Sequence, residues 1–301
     1  MGQGRSAGQE RDVRNGATVH KRVMGHLPAA SPRAMIPAMA IRKEWTHDEL
    51  LVAFRLYCRM PFGRLHRLNP EIIELARLMG RTPSSVGMKA CNFASLDPVQ
   101  QARKIRGLAN ASRSDRQLWE AFQENAEATA AAAEAAYSRL IGSDSTTDGA
   151  EIASERELVF PTGPTEITRT VRARRVQGFF RAAVLVSYEF RCAISGIAIP
   201  ELLNASHIIP WQKDTKRRAD PCNGIALNTL YDRAFDRGLI TFDESLRLVL
   251  SNRLKTKGKD REAPALFQQC FHAMEGQKLN LPRRFTPDPV ALAWHRETVF
   301  R

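Results

Sequence analysis

Apolar residues recur at helical intervals through the first half of the chain. After Trp45, Thr46 can cap a helix whose apolar positions repeat every three or four residues. The same spacing predicts two more helices, over 71–79 and from about 84 to 93, which are separated by a short turn. A further helix carries Leu118, Trp119 and Phe122 and is predicted to continue through the alanine-rich run at 126–136. The first half is therefore predicted to be all-helical, and the pair at 71–93 has helix-turn-helix form.

The second half changes to short apolar runs that are typical of strands. An amphipathic helix leads into apolar runs at 192–199 and 203–209, which predict two strands. A polar loop at 212–221 and a helical segment at 229–236 follow. The order strand, strand, loop, helix predicts a ββα unit, in which His207 stands at the end of the second strand.

Turn residues divide the chain into predicted regions. We expect a flexible basic arm at 1–40, a helical DNA-recognition domain at 41–140 and a linker at 141–165, with the boundary near residue 155. The remaining residues, 166–301, form a second domain that holds the ββα unit and its flanking helices. The predicted fold class is α+β.

The charge and the cysteines narrow the class of protein. The formal net charge is +13, which favours a polyanionic partner such as nucleic acid, although a basic protein whose charge only solvates it is the plainer alternative. Five cysteines without C-x-x-C pairs indicate neither a disulfide framework nor a structural zinc site, so a reducing cytosol is expected. No apolar run approaches the ~18 residues that cross a bilayer, so no membrane partner is expected.

The predicted ββα unit contains the groups that phosphodiester hydrolysis needs. His207 can deprotonate water, and Asp232 and Asp236 lie four residues apart on one face of the predicted helix. Two carboxylates suit a hard cation such as Mg²⁺ or Mn²⁺. The Asn223 amide can tie the loop to the strand and hold the His207 ring.

Each of these residues also has an ordinary structural interpretation. His207 can be a strand histidine, Asn223-Gly224 can be a simple turn, and the two aspartates can lie on a solvated helix face. Their order and spacing together favour a catalytic site over these alternatives.

Four segments stand out in and around the predicted ββα unit: CAISG at 192–196, ASHIIPW at 205–211, DPCNGIAL at 220–227 and YDRAFDRGLI at 231–240. Together they resemble the HNH endonuclease superfamily, in the branch of bacterial restriction-type nucleases. The resemblance implies a ββα-metal fold, His207 as general base, Asn223 as the central asparagine and a metal held from the last segment.

The sequence departs from the family pattern at two positions. Ser206 stands where many members have an acidic residue that helps to bind metal, so it is expected to be a weaker or water-bridged ligand. Tyr231 or Asp232 replaces the closing histidine, and Asp232 is favoured because Asp236 then keeps its expected distance. A carboxylate there suits Mg²⁺ or Mn²⁺ better than zinc or nickel.

Two sets of polar residues are predicted to contact DNA. The alternative for the first set is a solvated charged loop, and the alternative for the second set is an ordinary helical hairpin. The first is a basic loop beside His207, and the second lies on the second helix of the helix-turn-helix pair, where we expect an exposed side. The loop residues are Lys213, Lys216, Arg217 and Arg218, and the helix residues are Ser84, Ser85 and Lys89.

The sequence therefore predicts a Mg²⁺-dependent endonuclease of double-stranded DNA in restriction or defence. We expect it in the bacterial cytoplasm, associated with the nucleoid, and as a homodimer when both strands are cut. One alternative is a DNA-binding regulator with a catalytically inactive HNH fold. Another is an interaction protein whose basic surface meets RNA or an acidic partner.

Overall fold

The helices predicted for the first half of the chain are present in the structure, but the one predicted to continue from Leu118 through the alanine-rich run is divided at Asn125 into two helices. This computed structural model describes residues 43–104, 111–142, 164–258 and 264–301, apart from the side chains of 164–169 and 257–258. The arm predicted at 1–40 and most of the linker predicted at 141–165 lie outside the described residues. The helices of the first half are α1 (His47–Arg59), α2 (Pro70–Met79), α3 (Pro83–Ala94), α4 (Pro98–Ala102), α5 (Arg113–Glu124) and α6 (Ala126–Ile141).

The second half is a mixture of helices and two-stranded sheets, as the α+β prediction requires. The strands β1 and β2 pair antiparallel, and so do β3 and β4. The elements are α7 (Pro164–Ser187), β1 (Leu203–His207), β2 (Gly224–Asn228), α8 (Thr229–Asp236), β3 (Ile240–Phe242), β4 (Leu248–Leu250), α9 (Asn252–Gly258), α10 (Ala265–Cys270) and α11 (Pro289–Thr298).

Helix α7 takes part in two hydrophobic cores. Phe179 belongs to the core of the helical half, where Phe54 packs within 4.8 Å of Phe122 and 6.4 Å of Phe179 between ring centroids. The next residue, Phe180, belongs to the core around β1, β2 and α8. The chain from Glu44 to Arg301 forms one compact unit, within which the division into a recognition and a nuclease domain stays a prediction.

One predicted strand is wrong, and another was not predicted. Residues 192–199 form a turn, in which the Cys192 amide donates to the Ile197 carbonyl at 2.9 Å and Gly196 has a φ of +71°. The partner of β1 is instead β2, with His207 opposite Gly224. His207 therefore ends the first strand of the ββα unit, and Gly224, directly after Asn223, begins the second strand.

The expected exposure of Lys89 on the second helix of the helix-turn-helix pair is also wrong. Lys89 is buried on α3, where its ammonium bonds the fully buried Asp115 carboxylate of α5 at 3.0 Å and lies over the Trp45 ring. Ser84 is exposed and Ser85 half-buried in the first turn of α3. The two helices form as predicted, and their role in DNA recognition stays a prediction.

Candidate active site

His207 is held at the end of β1 by aromatic rings and one backbone carbonyl. Its imidazole stacks on Phe180, with the ring centroids 3.7 Å apart and the planes at 12°, and the Trp211 ring meets it edge-on at 5.8 Å. The Nε2 atom lies 3.0 Å from the carbonyl oxygen of Arg218. A carbonyl can only accept, so Nε2 carries the proton and donates it. In the neutral ring, Nδ1 then keeps the lone pair.

The surroundings of His207 favour this neutral ring. Burial lowers the pKa of His207 to about 4, although the hydrogen bond to the Arg218 carbonyl and the charge of Asp232 both act to raise it. At neutral pH the imidazole is therefore unprotonated and able to accept a proton.

Asn223 fixes the backbone that follows His207. Its side chain is buried, its Oδ1 accepts from the Ile209 amide at 2.9 Å, and its Nδ2 donates to the Ile209 carbonyl at 3.0 Å. The Ile208 amide also donates to the Asn223 carbonyl at 2.9 Å. These bonds hold the two residues after His207 against the start of β2, so the imidazole has little freedom to shift along the strand.

Asp232 faces β1 from the first turn of α8. Its carboxylate accepts one hydrogen bond from the Ser206 hydroxyl and a second from the Asn204 amide at 2.8 Å. Tyr231 points the other way, because its ring is buried and its hydroxyl donates to the Cys270 carbonyl at 2.6 Å. Of the two residues that can replace the family's last histidine, Asp232 is therefore the one beside Ser206 and His207.

Arg181 is a residue of this site that sequence reasoning missed. It follows Phe180 on α7 and is half-buried, and one guanidinium nitrogen lies 3.5 Å from the Pro200 carbonyl. Burial lowers the pKa of Arg181, and the nearby negative charge of Asp232 acts to raise it. The only available signal was its position next to an aromatic residue of an amphipathic helix, which by itself names no function.

The described carboxylates do not form a closed metal cage. Asp236 is exposed at the end of α8, one helical turn beyond Asp232, and the described residues contain no cluster of three or more His, Cys, Asp or Glu side chains placed to hold an ion. A Mg²⁺ site needs only one or two protein carboxylates, because water and substrate phosphate complete its oxygen shell. The oxygen donors of Asp232 and Ser206 fit such a shared site.

In the basic loop after β1, two of the predicted DNA-contacting side chains form ion pairs within the protein and two are exposed. Arg217 bonds Asp220 at 3.1 Å and Asp288 at 2.8 Å, so it holds the loop to the last part of the chain. Arg218 donates to the Trp211 carbonyl at 2.8 Å and pairs with Glu127 at 3.4 Å. The other two predicted contacts, Lys213 and Lys216, are exposed.

The family comparison agrees with this geometry. Residues 192–243 match the HNH endonuclease family, so this segment of the chain belongs to the HNH superfamily. HNH endonucleases act on DNA and generally use divalent metal ions. No curated protein shows significant similarity to the chain. Within the described ranges, no helix is both long and apolar enough to cross a membrane.

Proposed function

We propose that this protein is a divalent-metal-dependent endonuclease that hydrolyses phosphodiester bonds of double-stranded DNA with His207 as the general base. The observation that carries the proposal is the bond from His207 Nε2 to the Arg218 carbonyl. It leaves Nδ1 as the basic atom of a ring that burial keeps neutral.

The reaction follows from the position of that lone pair. Water attacks phosphorus and gives its proton to His207 Nδ1, while the bond from phosphorus to the leaving 3′ oxygen breaks. The leaving 3′ oxygen takes a proton from solvent, and the imidazolium returns its own proton to solvent, so the neutral base is restored. Asn223 acts as a positioning residue, because its bonds to Ile209 keep the imidazole at the end of β1.

The cation is proposed to be Mg²⁺ or Mn²⁺, held by Asp232 with Ser206 and Asp236. It supplies positive charge that neutralises the phosphate and stabilises the leaving oxygen. Ser206 and Asn204 orient the Asp232 carboxylate, and carboxylate oxygens are the ligands that a hard ion prefers. Arg181, beside Asp232, adds a second positive charge at the same phosphate.

A biological role in restriction or defence is proposed for this activity, in the bacterial cytoplasm. One ββα site cuts one strand, so a double-strand break requires either a homodimer or two successive nicks. The helix pair α2–α3 is proposed to position the protein on DNA through Ser84 and Ser85, whereas buried Lys89 supports the fold.

The experiment is plasmid cleavage by the purified full chain in Mg²⁺, in Mn²⁺ and in EDTA. We expect nicked or linear DNA in either metal and intact supercoils in EDTA. Asp232→Asn is expected to lose most of the cutting while DNA binding persists. The plasmid panel includes DNA prepared with different base modifications, so that it tests whether cleavage depends on a modified base. Tight binding without cutting of any plasmid would instead favour a DNA-binding regulator.

A further inference from the structure

Two cavities that share three lining residues lie next to the basic loop after β1. Their volumes are about 290 and 270 Å³, and the shared residues are Glu127 of α6, Arg172 of α7 and Arg218 of the loop. Lys216 lines the first cavity and Trp211 the second. The cavities therefore form one basic pocket between the helical half and the loop that follows β1, and we call it the α6–α7 pocket.

The charge of the α6–α7 pocket favours an anion. Arg172, Lys216 and Arg218 contribute three positive charges, and Glu127 is the one carboxylate in the lining. Arg172 and Lys216 are exposed, whereas Arg218 is half-buried and lies 4.9 Å from the Trp211 ring centroid. Guanidinium and ammonium donors suit phosphate oxygens, and an aromatic ring such as Trp211 suits the adjoining sugar or base.

The α6–α7 pocket is connected to the catalytic histidine through two residues. The backbone carbonyl of Arg218 accepts from His207 Nε2 at 3.0 Å, and the Trp211 ring packs on the His207 ring at 5.8 Å. A DNA strand that contacts Arg218 and Trp211 therefore passes directly beside the His207 imidazole.

We propose that the α6–α7 pocket binds a DNA backbone phosphate next to the one that is cut, through Arg172, Lys216 and Arg218. This inference rests on the proposed function for the identity of the anion. It adds α6 and α7 to the DNA-binding surface. It leaves out Arg217, whose guanidinium forms ion pairs with Asp220 and Asp288.

Glu127 acts as a competitor for the incoming phosphate. Its carboxylate pairs with Arg218 at 3.4 Å, while its backbone amide donates to the Lys216 carbonyl at 3.1 Å. A phosphate that binds Arg218 meets the negative charge of this carboxylate, which repels it. The backbone bond does not depend on the side-chain charge, so it survives a change of Glu127 to glutamine.

The test is the affinity of the full chain for a short labelled DNA duplex in EDTA, measured by fluorescence anisotropy over a range of salt concentrations. Arg172→Ala is expected to weaken binding about 5- to 10-fold near 0.1 M salt and to reduce the salt slope by about 0.9, the value of one lost phosphate contact. Lys278→Ala, which removes an exposed cation that does not line the pocket, is the control. An Arg172→Ala affinity and slope equal to those of the control would overturn the proposal.

Glu127→Gln separates phosphate binding from a structural role. We expect it to tighten DNA binding by roughly 3- to 10-fold, since it removes a like charge from the phosphate site. Glu120→Gln, on the exposed surface of α5, makes the same change of net charge outside the pocket and controls for it. Unchanged or weaker binding by Glu127→Gln, relative to Glu120→Gln, would contradict the proposal. Because no cleavage occurs in EDTA, this outcome is independent of whether the protein cuts DNA.

Discussion

The imidazole of His207 lies face to face with the ring of Phe180, at a centroid distance of 3.7 Å. Phe180 belongs to α7, which precedes the segment 192–243 that matches the HNH family. The preceding residue on this helix, Phe179, packs in the core of the helical half. The position of the proposed base therefore depends on a helix outside the family segment and on the core that anchors this helix.

Gly224 provides the space for this stacking arrangement. A Cβ atom at this position would lie 2.8 Å from Phe180 Cζ and 2.5 Å from Val184 Cγ2. We expect Gly224→Ala to cost about 1–3 kcal/mol of unfolding free energy through overpacking. We also expect cleavage to fall by at least about tenfold at a temperature where the variant is folded, because a displaced Phe180 moves His207.

Gly178→Ala is the matched control for that substitution. Gly178 lies inside α7 and has no atom within 4 Å of the added Cβ. Replacing it should stabilise the protein by about 0.5–1 kcal/mol through helix propensity and leave cleavage unchanged. Chemical denaturation and initial cleavage rates provide both readouts. Wild-type cleavage by folded Gly224→Ala would show that Phe180 does not position the base.

Arg181 is expected to matter for the chemical step more than for DNA binding. Arg181→Ala removes a positive charge beside Asp232, so the single-turnover cleavage rate should fall about 100-fold, and Arg181→Lys should recover part of this loss. Affinity for duplex DNA in EDTA should change far less. Arg191→Ala, an exposed arginine just beyond α7, serves as the control. Cutting by Arg181→Ala at the wild-type rate would exclude Arg181 from the site.

The buried pair Lys89–Asp115 is expected to stabilise the fold and to make no contact with DNA. Asp115→Ala leaves a buried ammonium unpaired, so it should cost about 3–5 kcal/mol. The double variant Lys89→Met/Asp115→Asn removes both charges and should be more stable than Asp115→Ala in urea denaturation. Its affinity for duplex DNA should equal that of the wild type. A tenfold loss of affinity in the folded double variant would restore Lys89 as a DNA-binding residue.

Because of the buried His295, we expect the protein to lose stability at acid pH. Its Nε2 donates to the Phe235 carbonyl at 3.1 Å, and burial lowers its pKa to about 4. The unfolded chain, with an ordinary histidine pKa near 6.5, binds more protons than the folded one in this range. The free energy of unfolding should therefore fall as pH drops from about 6.5 toward 4, with roughly 1–2 kcal/mol lost by pH 5 through this residue.

Urea denaturation at pH 7 and pH 5 measures that loss. His295→Gln should show a smaller difference between the two pH values than the wild type. His66→Gln, at an exposed histidine, is the control and should keep the wild-type difference. An equal pH difference in His295→Gln and the wild type would contradict the assignment.

The sequence predicted those features that local patterns determine. Helix α8 begins and ends at the predicted residues, because Asn228 caps it and its apolar positions have a clear helical period. The turn at 192–199 was predicted as a strand, since an apolar run does not reveal the closing bond from Cys192 to Ile197. Asn223-Gly224 favours a turn locally, and its place at the start of β2 depends on bonds to Ile209 that only the fold supplies.

Long-range contacts account for the rest of the candidate site. Helices that precede the HNH segment in sequence contribute Arg181, Phe180 and Glu127 to its surroundings. These residues are too far from the segment in sequence for a local pattern to predict the contacts. The burial of Lys89 likewise depends on Asp115, 26 residues away. Motif spacing predicted His207, Asn223 and Asp232 as candidates, whereas the tertiary fold determines the groups around them.

The most direct measurement of the central claim is Mg²⁺-dependent plasmid cleavage by His207→Ala beside His272→Ala. The two histidines are matched, because His272 is also half-buried and its Nε2 lies 3.2 Å from a backbone carbonyl, that of Leu254. We predict that His207→Ala binds duplex DNA as the wild type does but cuts at least about 100-fold more slowly. His272→Ala should cut at close to the wild-type rate. Undiminished cutting by folded His207→Ala would contradict the assignment of His207 as the general base.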